Sequence, residues 1–233
     1  MREHLTRPYW WENAWNRHYR EYVSRPARQA YYLYCILPSG VSHILEIAAG
    51  SFRDTAKLNQ WGFKCIGTDF STKAVELARE TYSRWADNFL VCDATRLPFA
   101  SQSFDVSFHN GLFACFHEDN LIHSVIKEQL RVSKKMIVCT VHNAHNEHLR
   151  RQFESKSSTD DLYAIRFFTR EEITNILSPG CKQVKLYPFG SLWGNRVIKL
   201  FPNRHLVRLF YRLTYRHWDW TKCERIMAVG WLQ

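Results

Sequence analysis

The stretch Ile44 to Ser71, ILEIAAGSFRDTAKLNQWGFKCIGTDFS, restricts the fold more than any other part of the chain. Ile44, Leu45 and Ile47 form a short apolar run, the pattern of a strand covered on both faces. Ala48, Ala49 and Gly50 then carry almost no side chain. The backbone can turn sharply there, and a ligand can approach the N–H groups that open the next helix. From Arg53 onward, Ala56, Leu58 and Trp61 suit a short helix, with Gly62 at its left-handed end. A second strand, Lys64 to Thr68, delivers Asp69, 23 residues after Glu46, where a carboxylate can accept both hydroxyls of a ribose. This succession of strand, small-residue turn, helix, strand and acid predicts a βαβ half-unit of the nucleotide-binding kind.

The pattern continues downstream. Thr72 to Ser83 reads as a helix, and Asn88 to Cys92 as a third strand ending in Asp93-Ala94. Phe104 to Phe108 is a fourth strand, closed by His109, and Met136 to Val141 a fifth. On these residues the chain resembles the class I (Rossmann-like) S-adenosylmethionine-dependent methyltransferase family. The family's acid and alternate glycines fall on Glu46, Ala48, Gly50 and Phe52, so one glycine of three is kept. Thr95-Arg96-Leu97-Pro98-Phe99 and Ser103-Phe104-Asp105-Val106 resemble its run into strand four. Leu130-Arg131-Val132 resembles the entry to strand five, with Ser133-Lys134-Lys135 in place of the usual Pro-Gly-Gly. Phe168 to Glu172 resembles its next helix start, with Thr169 and Glu172 spaced as a capping box.

The resemblance, which covers residues 42 to 190, implies S-adenosyl-L-methionine as cofactor. Glu46, Ala48 and Gly50 would lie at its methionine end, Asp69 at the ribose, Phe70 on one adenine face, and Asp93 and Ala94 at the adenine edge. Arg53 would meet the cofactor carboxylate or else serve at the surface. The implied fold is α/β: a three-layer, Rossmann-like, seven-stranded and mostly parallel sheet with an antiparallel last strand, Cys223 to Leu232. One methyltransferase domain would comprise a helical N-terminal cover (1–40), a cofactor-binding core (41–190), a basic helical insert (191–220) and the last strand (221–233).

Ligands of open α/β sheets bind beyond the carboxyl ends of the strands, which groups Asp69, Asp93, His109 and Asn110 on one rim. An imidazole titrates near neutrality, so His109 is a candidate base or positioning group, or else a structural histidine. His142, at the end of strand five, is a second candidate. His142, His145 and His148 are spaced by three, which spreads the rings around a helix and predicts no metal site. Glu154 to Asp161 reads as a mobile loop over the same rim. Asn110-Gly111-Leu112-Phe113 stands where the family's DNA-adenine methylating members carry an Asn-Pro-Pro-Tyr type motif. Methyl transfer to a small-molecule acceptor is the leading expectation. An RNA methyltransferase and a non-catalytic partner subunit stay open as alternatives.

The flanks carry the charge. The formal net charge is +10, yet residues 41–180 hold 16 basic and 17 acidic side chains, while residues 181–233 hold 10 and 2. Arg204, Arg208, Arg212 and Arg216 recur every four residues beside Leu206, Val207, Leu209, Phe210 and Leu213. They predict a basic amphipathic helix whose apolar face packs inward. Its basic face would be solvated, or would meet an anionic substrate, a membrane surface or RNA. Near the N-terminus, Trp11, Trp15, Tyr19 and Tyr22 form an aromatic stripe on one helical face, followed by a second helix, Ala27 to Leu37. The stripe would pack on the core, or its rings Trp11, Trp15 and Tyr19 would enclose a substrate. Seven cysteines without a C-x-x-C pair fit neither a disulfide framework nor zinc. No apolar run approaches the roughly 18 residues of a membrane span, and MREHLTRPYWWENAW lacks a signal peptide's apolar core, so a cytoplasmic location is expected.

Overall fold

The computed structural model describes residues 8–233, so the front of the expected N-terminal cover, residues 1–7, lies outside the described residues. Its centre is one sheet of β1 (His43–Ile47), β2 (Lys64–Asp69), β3 (Phe89–Val91), β4 (Phe104–Asn110), β5 (Ser133–His142), β6 (Gln183–Phe189) and β7 (Arg225–Trp231). Their order across the sheet is β3-β2-β1-β4-β5-β7-β6. The first five run parallel, whereas β7 is antiparallel to both neighbours and separates β5 from β6. Chain order reverses between β1 and β4, where Ile47 pairs with His109. Ala48 and Asn110 therefore leave the sheet side by side, at the crevice where open α/β sheets bind ligands.

Nine helices surround this sheet among the described residues: α1 (Pro8–Ser24), α2 (Arg28–Ile36), α3 (Arg53–Gln60), α4 (Thr72–Thr81), α5 (Asp119–Val132), α6 (Glu147–Lys156), α7 (Arg170–Leu177), α8 (Leu192–Leu200) and α9 (Arg204–Thr214). Strand alternation divides the core. Met136 and Val138 join α2, α8 and α9 on one face, and Ile137, Cys139 and Val141 join α5 and α7 on the other. Thr169 and Glu172 do form the capping box that starts α7. The expected loop from Glu154 begins instead inside α6, which runs to Lys156.

The insert between β6 and β7 departs from expectation. Val207 and Tyr211 of α9 are buried, but Leu206, Leu209 and Leu213 are 53%, 59% and 69% exposed. Three arginines turn toward α2 and its surroundings: Arg204 donates to the Trp61 carbonyl at 2.7 Å, Arg208 to that of Leu37 at 3.0 Å and Arg212 to that of Cys35 at 3.3 Å. The guanidinium groups of Arg204 and Arg208 also lie over the Tyr34 ring. The last carbonyls of a helix lack intrahelical donors, and guanidinium groups at that negative end are favourable. Most of the expected basic solvent face is thus spent on the ends of α2 and α3, and leucines point outward.

Candidate active site

The turn after β1 carries left-handed backbone at alternate residues: Ala48 (φ 53°), Gly50 (φ 58°) and Phe52 (φ 56°). These are the positions where the family pattern has glycine. A non-glycine residue in this conformation costs about 1–2 kcal/mol. Phe52 is held there by burial, since its ring is fully enclosed and packs on Phe89 with centroids 4.9 Å apart. It therefore points into the core between α3 and β3 and away from the ligand side. Gly50 has no such freedom, because a Cβ would meet the Trp15 ring at 2.4 Å.

Two acids brace the turn. Asp69 accepts the N–H groups of Gly50 at 2.8 Å and Ser71 at 3.0 Å. A carboxylate offers about four lone-pair sites, so two remain. Burial pushes its carboxyl up to about 6, partly offset by those N–H donors. Glu46 accepts the Thr55 hydroxyl, and burial together with the charge of Asp54 holds its carboxyl well above the ordinary range. Asp93 uses one oxygen, Oδ1, for the Thr95 N–H and hydroxyl, both at 2.8 Å.

A cavity of about 470 Å³ opens at the β1/β4 crevice. Glu46, Ala48, Gly50, Arg53, Asp69 and Phe70 line it, as do Asp93, Ala94 and Asn110. At its far side stands Arg225, the first residue of β7. Arg225 donates to the Asn110 side-chain oxygen and makes no ion pair among the described residues. Burial, with Arg28 nearby, pulls its guanidinium down to about 10, still a cation at neutral pH. Arg28, by contrast, is neutralised by a two-point pairing with Glu224 at 3.0 and 2.9 Å. His142 shares this wall, packed between Phe153 and Phe167, with Nδ1 lacking a hydrogen-bond partner. Burial and Arg225 hold its imidazole well below its usual range, hence neutral.

The N-terminal helix forms the roof. Both Glu12 oxygens accept the opening N–H groups of α4, from Thr72 at 2.8 Å and Lys73 at 2.9 Å, a favourable place for a carboxylate. Trp11 and Trp15 face the cavity, with rings stacked at 6.0 Å, and Tyr22 follows them.

Two sequence expectations move. Tyr19 is not a cavity wall: it is buried with Phe52, Ala56 and Phe89, and its hydroxyl donates to the Ser51 carbonyl at 3.4 Å. One helical face is wide enough to divide between core and cavity. His109 does not reach the cavity either. It is wholly buried against Phe113 at 4.1 Å, and burial followed by Arg225 lowers its imidazole to about 3. In a strand whose faces alternate, its neighbour Asn110 takes the cavity side. His145 and His148 diverge from His142, bonding the Arg170 N–H and Gln152. Arg225 and Arg28 complete the wall although no sequence motif marks them, and Tyr22 joins it from the aromatic stripe. A lone arginine heading the apolar run Ile226 to Val229 is the available local sign of Arg225.

Residues 44–136 match the family described as methyltransferase domain. No curated protein matches the chain in sequence. Among solved structures, a Thermotoga maritima S-adenosylmethionine-dependent methyltransferase, described as a possible histamine N-methyltransferase, is similar at 16% identity and TM-score 0.64, over 95% of this chain and 96% of that one. A methyltransferase candidate in complex with the Haloferax volcanii Trm112 activator is similar at 19% and 0.66, over 94% of each chain. Geranyl diphosphate C-methyltransferase from Streptomyces coelicolor, crystallised with S-adenosyl-L-homocysteine, is similar at 13% and 0.54, over 88% and 78%. The residues present fit S-adenosylmethionine: Asp69 and Asp93 keep free acceptor sites on the cavity wall, where Glu46, Ala48 and Phe70 join them. Residues 44–136 thus resemble the methyltransferase domain family, and the chain as a whole shares the fold of these solved methyltransferases.

Proposed function

We propose that this protein transfers a methyl group from S-adenosylmethionine to a small-molecule acceptor bearing an anionic group. The observation that carries the anionic part is Arg225, a buried guanidinium in the cavity wall whose direct partner is the neutral Asn110. Glu224, whose charge it feels, is already paired with Arg28. A buried charge with no ion-pair partner of its own is costly, and an acidic ligand group would supply one. The bound cofactor supplies an activated methyl group on a sulfonium. Asp69 would take the ribose hydroxyls, Asp93 and Ala94 the adenine edge, Phe70 its face, and Arg53 the methionine carboxylate. Trp11, Trp15 and Tyr22 exclude water from above, and Arg225 orients the acceptor. The neutral His142 lines the same wall and would help to shape the acceptor pocket. With an activated methyl group, most of the acceleration would come from orientation.

One similar structure holds geranyl diphosphate, an anionic acceptor on the same fold. The RNA reading finds little support in α9, whose Arg204, Arg208 and Arg212 are engaged with carbonyls. The test is transfer of labelled methyl groups into fractionated lysate, then Arg225→Gln on the acceptor so found. The acceptor KM should rise at least roughly tenfold, as for loss of a charge-assisted contact, with S-adenosylmethionine affinity within about twofold of the parent. Label confined to RNA or protein, or loss of cofactor binding in Arg225→Gln, would refute the assignment. A chain that binds no S-adenosylmethionine is the partner subunit instead.

A further inference from the structure

Seven of the nine large hydrophobic residues most exposed among the described residues fall in one short part of the chain, α8, α9 and their connection. Leu192, Trp193, Leu200 and Phe201 are 58–67% exposed, and Leu206, Leu209 and Leu213 continue the patch on α9. Each helix repeats its outward residues at helical spacing, 193, 196 and 200 on α8 and 206, 209 and 213 on α9. Ile198, Val207 and Tyr211 from the opposite sides enter one core cluster, so both outward faces turn away from the same core. A surface this apolar calls for an occupant.

Charge selects which one. Residues 192–218 contain six basic residues and no acidic one. Arg196 and Lys199 are exposed on the α8 face, and the Arg196 guanidinium lies 5.3 Å over the Trp193 ring. Leucine, tryptophan and phenylalanine rimmed by arginine and lysine match the apolar and anionic layers of a lipid surface. No helix of the described residues is long and apolar enough to cross a membrane, so such contact would be interfacial. Serine 191 caps α8 only two residues beyond Phe189, which ends β6 and lines the cavity, so the patch adjoins the rim of the site. The apolar side chains, which RNA would leave uncovered, favour a lipid surface over RNA.

We propose that the outward face of α8 and α9 docks this protein on an anionic lipid surface, with the leucines and Trp193 in the headgroup boundary and Arg196 and Lys199 on acidic headgroups. The inference is independent of the acceptor and of catalysis. It is tested by co-sedimentation of the full chain with vesicles of phosphatidylcholine alone, or with about one-third phosphatidylglycerol, at low and high salt. Binding is expected to the anionic vesicles and to weaken with salt. Arg196→Gln with Lys199→Gln should weaken it roughly fivefold per charge, the equivalent of about 1 kcal/mol each. Leu206→Gln, Leu209→Gln and Leu213→Gln together should weaken it at least roughly tenfold. All five positions are exposed or edge the patch, and unchanged circular-dichroism melting verifies that the variants fold. Absence of binding to anionic vesicles at low salt overturns the proposal, as does binding indifferent to the leucine variant. A parent that light scattering finds dimeric, becoming monomeric in the leucine variant, assigns the face to a second copy and also overturns it. So does RNA binding that the same variant abolishes.

Discussion

Replacing Gly50 with alanine probes the seat of Trp15 on the turn after β1. A Cβ there would lie 2.4 Å from Cζ2 and 2.6 Å from Cη2 of Trp15, on a residue whose φ is +58°. The left-handed conformation costs an alanine about 1–2 kcal/mol. Displacing a packed ring costs about 1–3 kcal/mol more. Gly50→Ala should therefore lose about 2–5 kcal/mol of folding free energy. The two parts can be separated, because Trp15→Ala empties the space that the new methyl group invades. In that background Gly50→Ala should lose only the conformational part, about 1–2 kcal/mol. Urea unfolding of the parent, both single variants and the double variant gives the cycle directly. The double variant should be about 1–3 kcal/mol more stable than the sum of the singles implies. Additivity within about 0.5 kcal/mol would show that Trp15 does not rest on Gly50, and the roof over the cavity would have to be redrawn.

Three further perturbations test other parts of the site. Phe52→Gly restores the family's residue yet should destabilise the fold by about 2–4 kcal/mol, because losing the buried ring outweighs relief of the backbone; a stabilised variant in urea unfolding would contradict this. Burial lifts the Asp69 carboxyl to about 6, so the folded chain holds this proton more tightly than the unfolded one. Its stabilising contribution, at most about 3 kcal/mol, is full below its unfolded value near 3.8 and is lost as pH rises through 6. Ribose recognition needs the ionised form, so S-adenosylmethionine affinity should rise from about pH 5, by up to tenfold per unit, and level off above about 6. Calorimetry should find that dependence flattened in Asp69→Asn, and an equally steep profile there would point to another group. Glu12→Ala removes the carboxylate that caps α4 and should cost about 0.5–2 kcal/mol, read as a lower melting temperature; an unchanged melt would mean that the α1 roof is held otherwise.

The sheet was legible because its signals are local. Ile44, Leu45 and Ile47, the acids ending β2 and β3, and the Thr169 capping box each depend on neighbours a few residues away. The cavity followed from the same signals, since Glu46, Asp69 and Asp93 line the β1/β4 crevice at the strand ends. What could not be read were choices between faces. His109 and Asn110 are adjacent in one strand, and only the packing of Phe113 decides which one turns inward. Tyr19 and Trp15 share a helical stripe, yet Ser51 and Phe52 draw the tyrosine into the core. The arginines of α9 gave the opposite of their usual meaning, because the carbonyls they serve belong to α2 and Trp61, more than 140 residues earlier. Arg225 is illegible in the sequence for a related reason: its place in the cavity wall depends on where β7 joins the sheet.

That place has a consequence for how the molecule is made. Because β7 lies between β5 and β6, β6 cannot pair with the sheet until residues 225–231 have been synthesised. Until then β5 presents an open edge, the kind of surface that invites wrong pairing, and chaperones have most reason to engage the chain at this stage. The residue that starts β7 is Arg225, and the one before it, Glu224, ties down Arg28 from α2. Closing the sheet and completing the cavity wall are therefore one event. A nascent chain stalled before residue 224 could build the turn after β1 but would lack the buried cation that faces Asn110.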